Sequence, residues 1–343
     1  MSSPLVSIVI INWNGLKFLE KCLKSLFHQT YHDFEIILVD NGSTDGSVQF
    51  VKDKYPQVII LENKNNAGFA AANNQGIRAA GGKYIVLLNN DTEADKDWLK
   101  NLVSAAGDSD THIGMWACKI LSLHDISVID SVGGLLISKC GIAKGRGRNE
   151  KDVKQYDREE EVFIPSACAA MYRKEALDQV GLFDEEFFAY CEDTDLGMRA
   201  RLAGWKTLAV PDAVVYHHYS GTTGKYTPMK AYLVERNHLW VAVKNFPISM
   251  LMVFPIITLW RYIFHIYAIA TKRGAGGRYT DRFSKTSLFV ILLKAYKDAI
   301  KGIPKMLKKR HSIMGKRMVS HREIKNWFKD YGIMKISDLV FKE

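Results

Sequence analysis

Residues 84–92 read YIVLLNNDT, and the polarity of the chain changes abruptly inside them. The first five residues are apolar or aromatic without a break, which is typical of a strand that is buried on both faces. Three oxygen-bearing side chains, Asn89, Asn90 and Asp91, follow at once. In open α/β sheets ligands bind beyond the carboxyl ends of such strands, where a carboxylate can hold a hard cation that binds phosphates. Asn and Asp also favour turns, so these residues alone leave a plain turn equally open.

The first hundred residues repeat one unit, in which an apolar strand is followed by a polar turn and a helix. The pattern predicts strands at residues 6–11, 34–39, 58–61 and 84–88, and helices at residues 16–29, 47–55 and 65–80. This alternation predicts an α/β fold with a Rossmann-like, mainly parallel central sheet. The sequence contains neither a G-x-G-x-x-G motif after the first strand nor a P-loop motif, which disfavours a dinucleotide dehydrogenase and a P-loop NTPase.

Beyond residue 110 the apolar runs are shorter. Those at residues 113–120, 135–138 and 162–164 predict an extension of the sheet. They flank residues 141–158, which are rich in charge and glycine and which we expect to form a mobile loop.

A further strand is predicted at residues 207–210, and a second apolar run leads from it to His217 and His218. Two adjacent imidazoles can bind a metal ion. Such pairs more often have a structural or surface role, so the residues themselves leave both possibilities open.

Three carboxylates, Glu192, Asp193 and Asp195, stand in the first turn of a helix predicted at residues 192–204. Acidic residues there suit the helix dipole, which would account for them without any function. Three within four residues exceed what capping requires, and like charges so close raise one another's pKa. A raised pKa is useful in a general base, so the cluster is a candidate catalytic site.

The net charge of +10 is concentrated at the C-terminal end. Residues 272–343 contain 19 Lys and Arg against 6 Asp and Glu, a net +13, whereas the first 271 residues carry −3. A basic region on a nearly neutral body predicts contact with an anionic surface, either membrane lipid or nucleic acid. No recognised nucleic-acid motif accompanies the charge, which makes nucleic acid the less favoured partner.

Two segments of this region bear on membrane contact. Residues 248–270 are apolar but interrupted by Pro255, Arg261 and His265, and the uninterrupted part, residues 248–260, is shorter than the ~20 residues that span a bilayer. A later helix has a largely basic stripe made of Lys294, Lys297, Asp298, Lys301, Lys305 and Lys308. We expect this amphipathic helix to contact a membrane surface. The alternative is a helix packed on the protein with a solvated basic face.

The five cysteines are scattered, odd in number and without metal-ligand spacing, which predicts reduced thiols in a cytosolic protein. No basic segment precedes the first apolar run, so we expect no secretory signal. With the basic C-terminal region, these features predict a cytoplasmic protein that is peripheral on the inner face of the cell membrane.

Seven segments, taken in order, resemble family 2 glycosyltransferases, and especially their rhamnosyltransferase-like branch with the GT-A fold. They are residues 6–15, 39–47, 66–74, 87–93, 183–188 and 192–196, and the region of His217. Each segment alone is weak, but their order and spacing together are specific. The resemblance covers residues 6–218 and is looser through the basic C-terminal region.

The resemblance implies a GT-A catalytic domain over residues 1–245 and a basic helical region over residues 246–343. Residues 1–110 would bind the nucleotide sugar, and residues 111–245 would supply the acceptor site and the base. The implied reaction is an inverting, metal-dependent transfer from a dTDP-rhamnose or UDP-sugar donor to a hydroxyl of a glycan or lipid-linked acceptor.

The resemblance also implies which residues bind the donor. Asp40 would accept a hydrogen bond from a ring N–H of the nucleobase, which thymine and uracil share. The other implied donor-binding positions are Asn12 and Asn14 near the base, Asn66, Gly68 and Asn73 near the ribose and diphosphate, and Asn89 and Asn90 in the metal motif.

Asn89, Asn90 and Asp91 take the place of the family's D-x-D metal motif, with Asn89 where the first Asp would stand. Asp91 is thereby left as the main carboxylate ligand for Mg²⁺ or Mn²⁺. His217 matches the position at which related enzymes add a histidine ligand, and its neighbour His218 is the less favoured candidate.

Asp193 matches the family's catalytic base, with Glu192 beside it, whereas Cys168 departs from the glycine that the family often has near the acceptor. Two other functions stay open at this stage. A polyprenyl-phosphate sugar transferase would share the nucleotide half but would need an acidic base less. A non-catalytic, sugar-nucleotide-binding adaptor would use the basic tail to bind membrane or RNA.

Overall fold

A computed structural model describes residues 4–219, 226–332 and 334–341. Three strand–helix units open the fold and a fourth strand follows them. These elements are β1 (Val6–Asn12), α1 (Leu16–Phe27), β2 (Phe34–Asp40), α2 (Ser47–Lys54), β3 (Ile59–Glu62), α3 (Phe69–Ala79) and β4 (Tyr84–Asn89). All seven agree in type and order with the pattern in the sequence, and only the start of α3 differs by more than two residues.

Helix α3 begins four residues later than predicted because residues 65–68 form a loop. Gly68 has a φ of +89°, a backbone conformation that L side chains rarely adopt. A Cβ atom at this position would lie 2.6 Å from the ring of Phe188. The loop therefore needs glycine here, both for its backbone and for its close contact with the distant segment around Phe188.

The second half of the α/β unit completes a mixed sheet. It adds β5 (Thr92–Ala94), α4 (Trp98–Asp108), β6 (Ile113–Ser122), β7 (Ile129–Val132), β8 (Leu135–Ile137), β9 (Ala143–Gly145), β10 (Glu160–Val162), β11 (Ala169–Arg173), α5 (Lys174–Val180), α6 (Glu192–Leu202) and β12 (Lys206–His217). The strand order is β10-β12-β6-β11-β4-β1-β2-β3, with β5 on β12 and β7 on β6. Strands β4, β1, β2 and β3 are parallel, and β11 runs antiparallel between β4 and β6. The predicted α/β fold with a mainly parallel central sheet is confirmed.

The run at residues 135–138 does not extend the central sheet, which corrects the prediction. Its strand, β8, pairs with β9 in a separate two-stranded sheet. Strand β9 lies inside the loop predicted at residues 141–158, and buried Lys119 holds that loop by donating to Asp152 at 3.0 Å and to Asp157. A three-residue apolar run carries no information about which partner strand it will find. The mobility of the loop stays a prediction.

Strand β12 continues through Pro211 to His217, although the sequence predicted an end at residue 210. Its register against β6 shifts between Val210 and Val214, so proline sits where regular pairing is interrupted. Proline lacks the N–H that a regular ladder would use, and such irregularities tolerate it. The continuation places His217 beside Thr92 of β5, at the carboxyl end of the sheet.

The C-terminal part is helical, as predicted. Its helices are α7 (Pro228–Asn245), α8 (Ile248–Ala270), α9 (Gly274–Thr280), α10 (Lys285–Gly315), α11 (His321–Asp330) and α12 (Ile336–Phe341). Helix α10 packs along α7. One hydrophobic cluster combines Phe187 and Trp240 with Met306 and Phe328, from both sides of residue 245. The division into two units at that residue stays a prediction.

Helix α8 is continuous over 23 residues and is not broken at Pro255, Arg261 or His265. The charge of Arg261 is compensated inside the protein, because both carboxylate oxygens of Glu235 accept from its guanidinium at 2.6 Å. By length and composition α8 could cross a membrane, and it is the one such helix in the part of the chain that the structure describes. The expectation that this segment is too short to span is therefore wrong, but core helices of soluble proteins pass the same test.

A buried cation joins α7 to the start of α6. The Nζ atom of Lys244 lies 2.6 Å from Asp184 and 2.8 Å from Asp195, and Asn245 donates to Asp195 at 2.9 Å. Arg199 also donates to Asp195, at 2.9 Å. Burial opposes ionisation of Asp195, but the charges of Lys244 and Arg199 outweigh it and hold the pKa of this carboxyl well below its usual range.

Replacing Lys244 by Met should cost about 3–5 kcal/mol of unfolding free energy, because two buried carboxylates lose their shared cation. The pKa of Asp195 is lower in the folded protein, so this stabilisation is present above the ordinary pKa of 3.8 and is lost as pH falls toward the folded value. Urea unfolding at pH 7 and at about pH 2.5 measures both effects, because the difference between the variant and the wild type should be full at pH 7 and smaller below pH 3.8. The exposed Lys325→Met is the control, expected within about 0.5 kcal/mol of wild type. Equal loss in both variants would contradict the assignment.

Candidate active site

Polar side chains at the ends of β1, β2 and β4 form one hydrogen-bonded row. The Asp40 carboxylate accepts from the Asn12 side chain at 3.0 Å, and Asn12 in turn accepts from Asn90 at 2.8 Å. The N–H groups of residues 42 and 43 also donate to Asp40, at 3.1 and 2.8 Å. All three side chains are buried. Three of the predicted donor-binding residues therefore lie together at the carboxyl edge of the sheet.

Two loops bring further predicted residues near this row. Asn14, with a φ of +50°, accepts from the N–H of Thr44 at 2.8 Å. Asn66 accepts from the Asn41 side chain and from the N–H of Gly68, both at 2.9 Å. Asn41 lies in one of the family-like segments but was not among the predicted site residues. Its amide ties the loop of residues 65–68 to the end of β2.

Asn73 is placed differently from the other predicted donor-binding residues. Its side chain donates to the backbone carbonyl of Phe69, within α3, at 2.9 Å. The next residue, Asn74, donates to the carbonyl of Phe183 and to Glu185, both at 2.9 Å. These asparagines join α3 to its own first turn and to the segment before α6. A donor-binding role for Asn73 stays a prediction.

Asp91 and His217 meet where β4 and β12 end, because β5 follows Asp91 directly and pairs with β12. The Nε2 atom of His217 lies 3.3 Å from Oδ1 of Asp91, and both side chains are buried. The ring of His218 packs elsewhere, with its centroid 4.8 Å from that of Phe18 and 4.4 Å from that of His124. The structure therefore brings the side chain of His217 to the Asp91 carboxylate, whereas His218 contacts Asp91 only through its backbone N–H, which donates to the Asp91 carbonyl at 2.9 Å.

Asn89 precedes this pair at the end of β4 and is half-buried. Its backbone carbonyl accepts from the Thr92 hydroxyl at 2.6 Å, which closes the turn between β4 and β5. The turn interpretation of the motif is thus correct for the backbone. It does not exclude ligand binding, because the Asp91 side chain still faces His217.

Asp130 holds the second ring nitrogen of His217. The Nδ1 atom lies 2.6 Å from Oδ2 of Asp130, and Arg148 donates to Oδ1 of the same carboxylate at 2.7 Å. Burial opposes a charge on the imidazole, but the thiol and carboxylates around it raise the pKa of His217 well above its ordinary value. Asp130 and Arg148 were not among the residues predicted from the sequence. They lie on a short strand and a loop that carry no motif, so no local signal distinguishes them from other surface charges.

Asp91 and His217 fit a divalent cation that also binds phosphates. A carboxylate suits Mg²⁺ and Mn²⁺, and neutral imidazole is a common ligand of transition metals, so an ion bound here would displace the proton that the raised pKa of His217 favours. Adjacent ligands of such ions lie about 3 Å apart, close to the 3.3 Å between the two side chains. No three His, Cys, Asp or Glu residues within residues 4–219, 226–332 and 334–341 are grouped to hold an ion. The remaining ligands would therefore be phosphate oxygens and water.

The three carboxylates at the start of α6 have different surroundings. Asp195 belongs to the buried ion pairs described above. Asp193 is half-buried and accepts from the N–H groups of Ala167 at 3.3 Å and Thr194 at 2.7 Å. Glu192 is buried, and its Oε2 has no hydrogen-bond partner among the residues that the structure describes. Cations thus compensate the charge of Asp195, whereas Glu192 and Asp193 have no cation partner among the described ion pairs.

Burial raises the pKa of both remaining carboxyls. The pKa of Glu192 lies well above its ordinary value of 4.5, first because of burial and then because of the nearby charge of Asp193. Burial also raises the pKa of Asp193, although the N–H groups that donate to it oppose this shift. Burial therefore favours the protonated form of both carboxyls, and favours it more strongly for Glu192.

The backbone just before this pair is strained. Phe188, Tyr190 and Cys191 have φ angles of +65°, +68° and +68°, a region that non-glycine residues rarely occupy. Asn237 of α7 holds this segment by donating to the carbonyls of residues 187, 189 and 190 at 2.9, 2.9 and 2.8 Å. Strain of this kind concentrates at functional sites.

A short segment at the start of β11 joins the acidic pair to the metal candidates. The N–H of Ala167 donates to Asp193, and the carbonyl of Cys168 accepts from the N–H of Asn89 at 2.9 Å. The Cys168 thiol also interacts with the ring of His217. The candidate base, the candidate metal ligands and the backbone of Asn89 therefore lie around one segment at one edge of the sheet.

Known proteins are similar to this chain in sequence. Residues 7–181 match the sequence profile described as Glycosyl transferase family 2. The N-acetylglucosaminyl-diphospho-decaprenol L-rhamnosyltransferase of Mycobacterium tuberculosis is 28% identical over an alignment of 250 residues, and the match covers 65% of this chain and 79% of that protein. The glycosyltransferase GlyG of Streptococcus pneumoniae is 34% identical over 114 residues, covering 32% of this chain and 38% of GlyG.

Solved structures agree in fold. Residues 1–349 of S. aureus TarS, in complex with UDP-GlcNAc, superpose with a TM-score of 0.56 at 17% identity and cover 95% of this chain and 91% of that one. The chain spans 54% of the longer TarS structure. GalNAc-T7 with UDP, GalNAc and Mn²⁺ superposes with a TM-score of 0.57 at 18% identity, covering 71% of this chain and 48% of that one.

The match to the family profile covers just over half of the 343 residues and includes the strand ends that carry the Asp40 row and the Asp91 motif. The named mycobacterial relative agrees with the rhamnosyltransferase-like resemblance of the motifs. The chain is therefore a member of glycosyltransferase family 2, an enzyme that uses a nucleotide-sugar donor.

Proposed function

We propose that this enzyme transfers a sugar, with inversion, from a dTDP- or UDP-linked donor to a hydroxyl of a glycan or lipid-linked acceptor. The observation that carries the proposal is the convergence of Asp193, with its raised pKa, and the Asp91–His217 pair around one segment. The mycobacterial relative is named for an acceptor on a diphospho-decaprenol lipid, and the TarS structure contains UDP-GlcNAc. Both names support this class of donor and acceptor.

Asp40 would select the nucleobase. A carboxylate offers about four acceptor positions. In the described hydrogen bonds three are used, by Asn12 and by the N–H groups of residues 42 and 43. One position is left for the N3–H that uracil and thymine share, and the row of Asn12 and Asn90 holds the carboxylate in place. Asn14, Asn66 and Gly68 shape the loops around this pocket.

Asp91 and His217 would hold the divalent cation, and the imidazole favours Mn²⁺ over Mg²⁺. A bound cation would neutralise the charge that develops on the diphosphate leaving group. The hydrogen bond from Nδ1 to Asp130 keeps the His217 ring in one orientation with Nε2 toward Asp91. The pair Asp130–Arg148 is thus a support for the ligand and has no direct contact with the donor in this assignment.

Asp193 would act as the general base. Its carboxylate removes the proton of the acceptor hydroxyl while the oxygen attacks the anomeric carbon. The bond from that carbon to the diphosphate breaks in the same displacement, so the configuration inverts. Glu192, whose pKa burial raises strongly, would be the neutral member of the pair, and its burial maintains the low polarity around Asp193.

We further propose a cytoplasmic enzyme that is peripheral on the inner face of the cell membrane. All five cysteines are free thiols, as a reducing compartment predicts. The C-terminal basic region and a lipid-linked acceptor support a membrane location.

Two isosteric substitutions separate the roles of the acidic pair. Asp193→Asn should lower kcat by roughly 10²–10⁴, the usual contribution of a general base. Glu192→Gln should change kcat only a few-fold, because the amide resembles the neutral acid already present. At pH values above 4.5, the ordinary pKa of Glu, it should also raise the melting temperature. The pKa of Glu192 is raised in the folded state, so ionisation of the wild-type carboxyl at such pH values destabilises the folded protein. Steady-state kinetics and thermal unfolding at pH 7 measure these effects.

Nucleotide binding is the control for both variants and should stay within about twofold of wild type. If Glu192→Gln lost as much activity as Asp193→Asn, Glu192 would be the base. If Asp193→Asn kept full transfer to a polyprenyl phosphate, the enzyme would belong to the lipid-phosphate class of transferases.

Replacing Asp130 by Asn should weaken Mn²⁺ binding 10–100-fold in the presence of UDP, the usual effect of removing a carboxylate that orients a ligand histidine. Electron paramagnetic resonance of free Mn²⁺ measures the affinity without any turnover. Asp152→Asn is the matched control, because Asp152 is also a carboxylate paired with a buried cation, but its partner is Lys119 and it has no described hydrogen bond to His217. Wild-type Mn²⁺ affinity in Asp130→Asn would rule out the supporting role.

Nucleotide selectivity provides the third test. UDP and dTDP with Mn²⁺ should raise the melting temperature, with about 2.7 kcal/mol of stabilisation at a hundredfold excess over Kd. CDP should not, because its ring N3 carries no hydrogen for Asp40. Asp40→Ala should abolish the preference for uridine over cytidine in the same thermal-shift assay. Equal shifts with UDP and CDP in the wild type would refute this role of Asp40.

A further inference from the structure

Helix α8 has apolar residues on both of its faces. One face packs on α7 and its neighbours and buries Phe254, Arg261 and Ala268. The opposite face carries Met252, Ile256, Leu259, Trp260, Ile263 and Ile266, whose exposed fractions range from 47% to 75%. Arg261 is the one Asp, Glu, Lys or Arg within the helix, and it points inward. A helix that is apolar all round belongs in a core or in lipid, and not in water.

Helix α10 exposes a second apolar stripe. Phe289, Leu293, Ile300 and Leu307 recur at intervals of four and seven residues and are 49–61% exposed. Exposed lysines flank this stripe on one side, namely Lys294, Lys297, Lys301 and Lys308. An apolar stripe beside a row of lysines is typical of helices that lie in the interface of an anionic membrane.

The two stripes meet at a contact between aromatic rings. The centroids of Tyr262 in α8 and Tyr296 in α10 are 6.1 Å apart. Residues three or four apart share one face of a helix. Ile266 is four residues from Tyr262, and Leu293 and Ile300 are three and four residues from Tyr296. The exposed faces of α8 and α10 therefore adjoin each other and form one apolar surface with lysines along its α10 edge.

We infer that this surface, formed by the exposed residues of α8 and α10, inserts into the interface of an anionic lipid bilayer with α8 parallel to the membrane plane. Helix α8 is about 35 Å long at 1.5 Å per residue, so length alone would permit a span. Its packing argues against one. It is held to the protein along its whole length, and a span would carry those partners into the hydrocarbon.

Three contacts show how far along α8 this packing extends. Near the start, the ring of Phe254 stacks on that of His238 with centroids 5.8 Å apart. In the middle lies the pair of Arg261 with Glu235. Near the end, Tyr267 packs against Phe341 with centroids 6.0 Å apart.

The charges decide between a membrane and a second copy of the chain as the occupant. One lysine of the stripe predicted from sequence is used within the protein, because Lys305 pairs with Glu186. Lys309, which lies outside that stripe, pairs with Asp184. Lys297 and Lys301 remain exposed beside the apolar stripe. A twofold dimer through this surface would bring the lysine rows of two copies to one interface, where like charges repel. Anionic headgroups would instead attract them.

Vesicle binding tests the surface without donor, acceptor or turnover, so its outcome is independent of the proposed reaction. The full chain should co-sediment with vesicles of phosphatidylcholine and phosphatidylglycerol (3:1) and bind pure phosphatidylcholine more weakly. Leu259→Glu/Ile266→Glu should reduce binding to both at least 100-fold. Lys297→Glu/Lys301→Glu should bind anionic vesicles more weakly, by roughly fivefold in affinity per lysine, and should bind pure phosphatidylcholine like the wild type. High salt should weaken binding of the wild type to anionic vesicles in the same way.

Matched controls exclude general damage. Val153→Glu places the same charge at an exposed apolar residue of the α/β unit and should bind vesicles like wild type. The α8 double variant should keep the wild-type thermal shift with UDP and Mn²⁺, which shows an intact fold. Wild-type vesicle binding by that variant would overturn the inference. A second result would also overturn it: the wild type forms a dimer in the absence of lipid and binds neither kind of vesicle, whereas the α8 double variant is monomeric.

Depth separates lying in the interface from spanning. The fluorescence of Trp260 is obtained as the difference between the wild type and Trp260→Phe. Lipids brominated near the headgroup should quench it more than lipids brominated near the bilayer centre. Stronger quenching from the centre would overturn the parallel orientation and support a span.

Discussion

The buried charge of Lys244 is the interaction on which the other features of the site depend. Three carboxylates within four residues at the start of α6 would repel one another strongly in a site of low polarity. Lys244 and Arg199 compensate one of them, Asp195, and Lys244 also neutralises Asp184. Without this cation, burial of the Asp184 and Asp195 carboxylates would cost several kcal/mol. The compensation is also selective, since no cation pairs with Glu192 or Asp193 among the described ion pairs.

This selective compensation creates two chemical environments within one helical turn. Asp195 is held ionised, and its pKa is depressed by cations that outweigh burial. Glu192 and Asp193 keep the effect of burial, so their pKa values rise. A carboxyl whose pKa is raised is a stronger base once it ionises, which suits proton removal from a hydroxyl. A structural role and the proposed catalytic role therefore arise from the same local sequence, and only distant partners distinguish them.

Features set by interactions between residues close in sequence could be predicted, and features set by residues distant in sequence could not. The strands and helices up to β4 follow from period and turn residues, which are local, and their ends were correct to within a few residues. The grouping of Asp40, Asn12 and Asn90 follows from the rule that parallel strands end at one edge. His217 could be placed with Asp91 only through the family resemblance, because β12 extends past a proline at a register shift.

The features that sequence could not provide are those set by distant partners. Arg261 suggested an interruption of α8, but a carboxylate 26 residues away, Glu235, neutralises it. The apolar run of β8 suggested the central sheet, yet it pairs with β9, a strand formed by a charged segment. Asp130 carries no motif at all, and its position beside His217 results from the antiparallel pairing of β7 with β6.

Three consecutive residues of α7 connect the proposed membrane surface to the proposed base. Glu235 holds Arg261 of α8, whereas Arg236 and Asn237 donate to the carbonyls of the strained segment that precedes Asp193. A helix is rigid over one turn, so these contacts hold α8 and the strained segment in a constant relative position. For an acceptor anchored in lipid, the height of the base above the membrane must match the height of the acceptor hydroxyl. Helix α8, bound directly to α7, which supports the segment before Asp193, would meet this requirement without a conformational change.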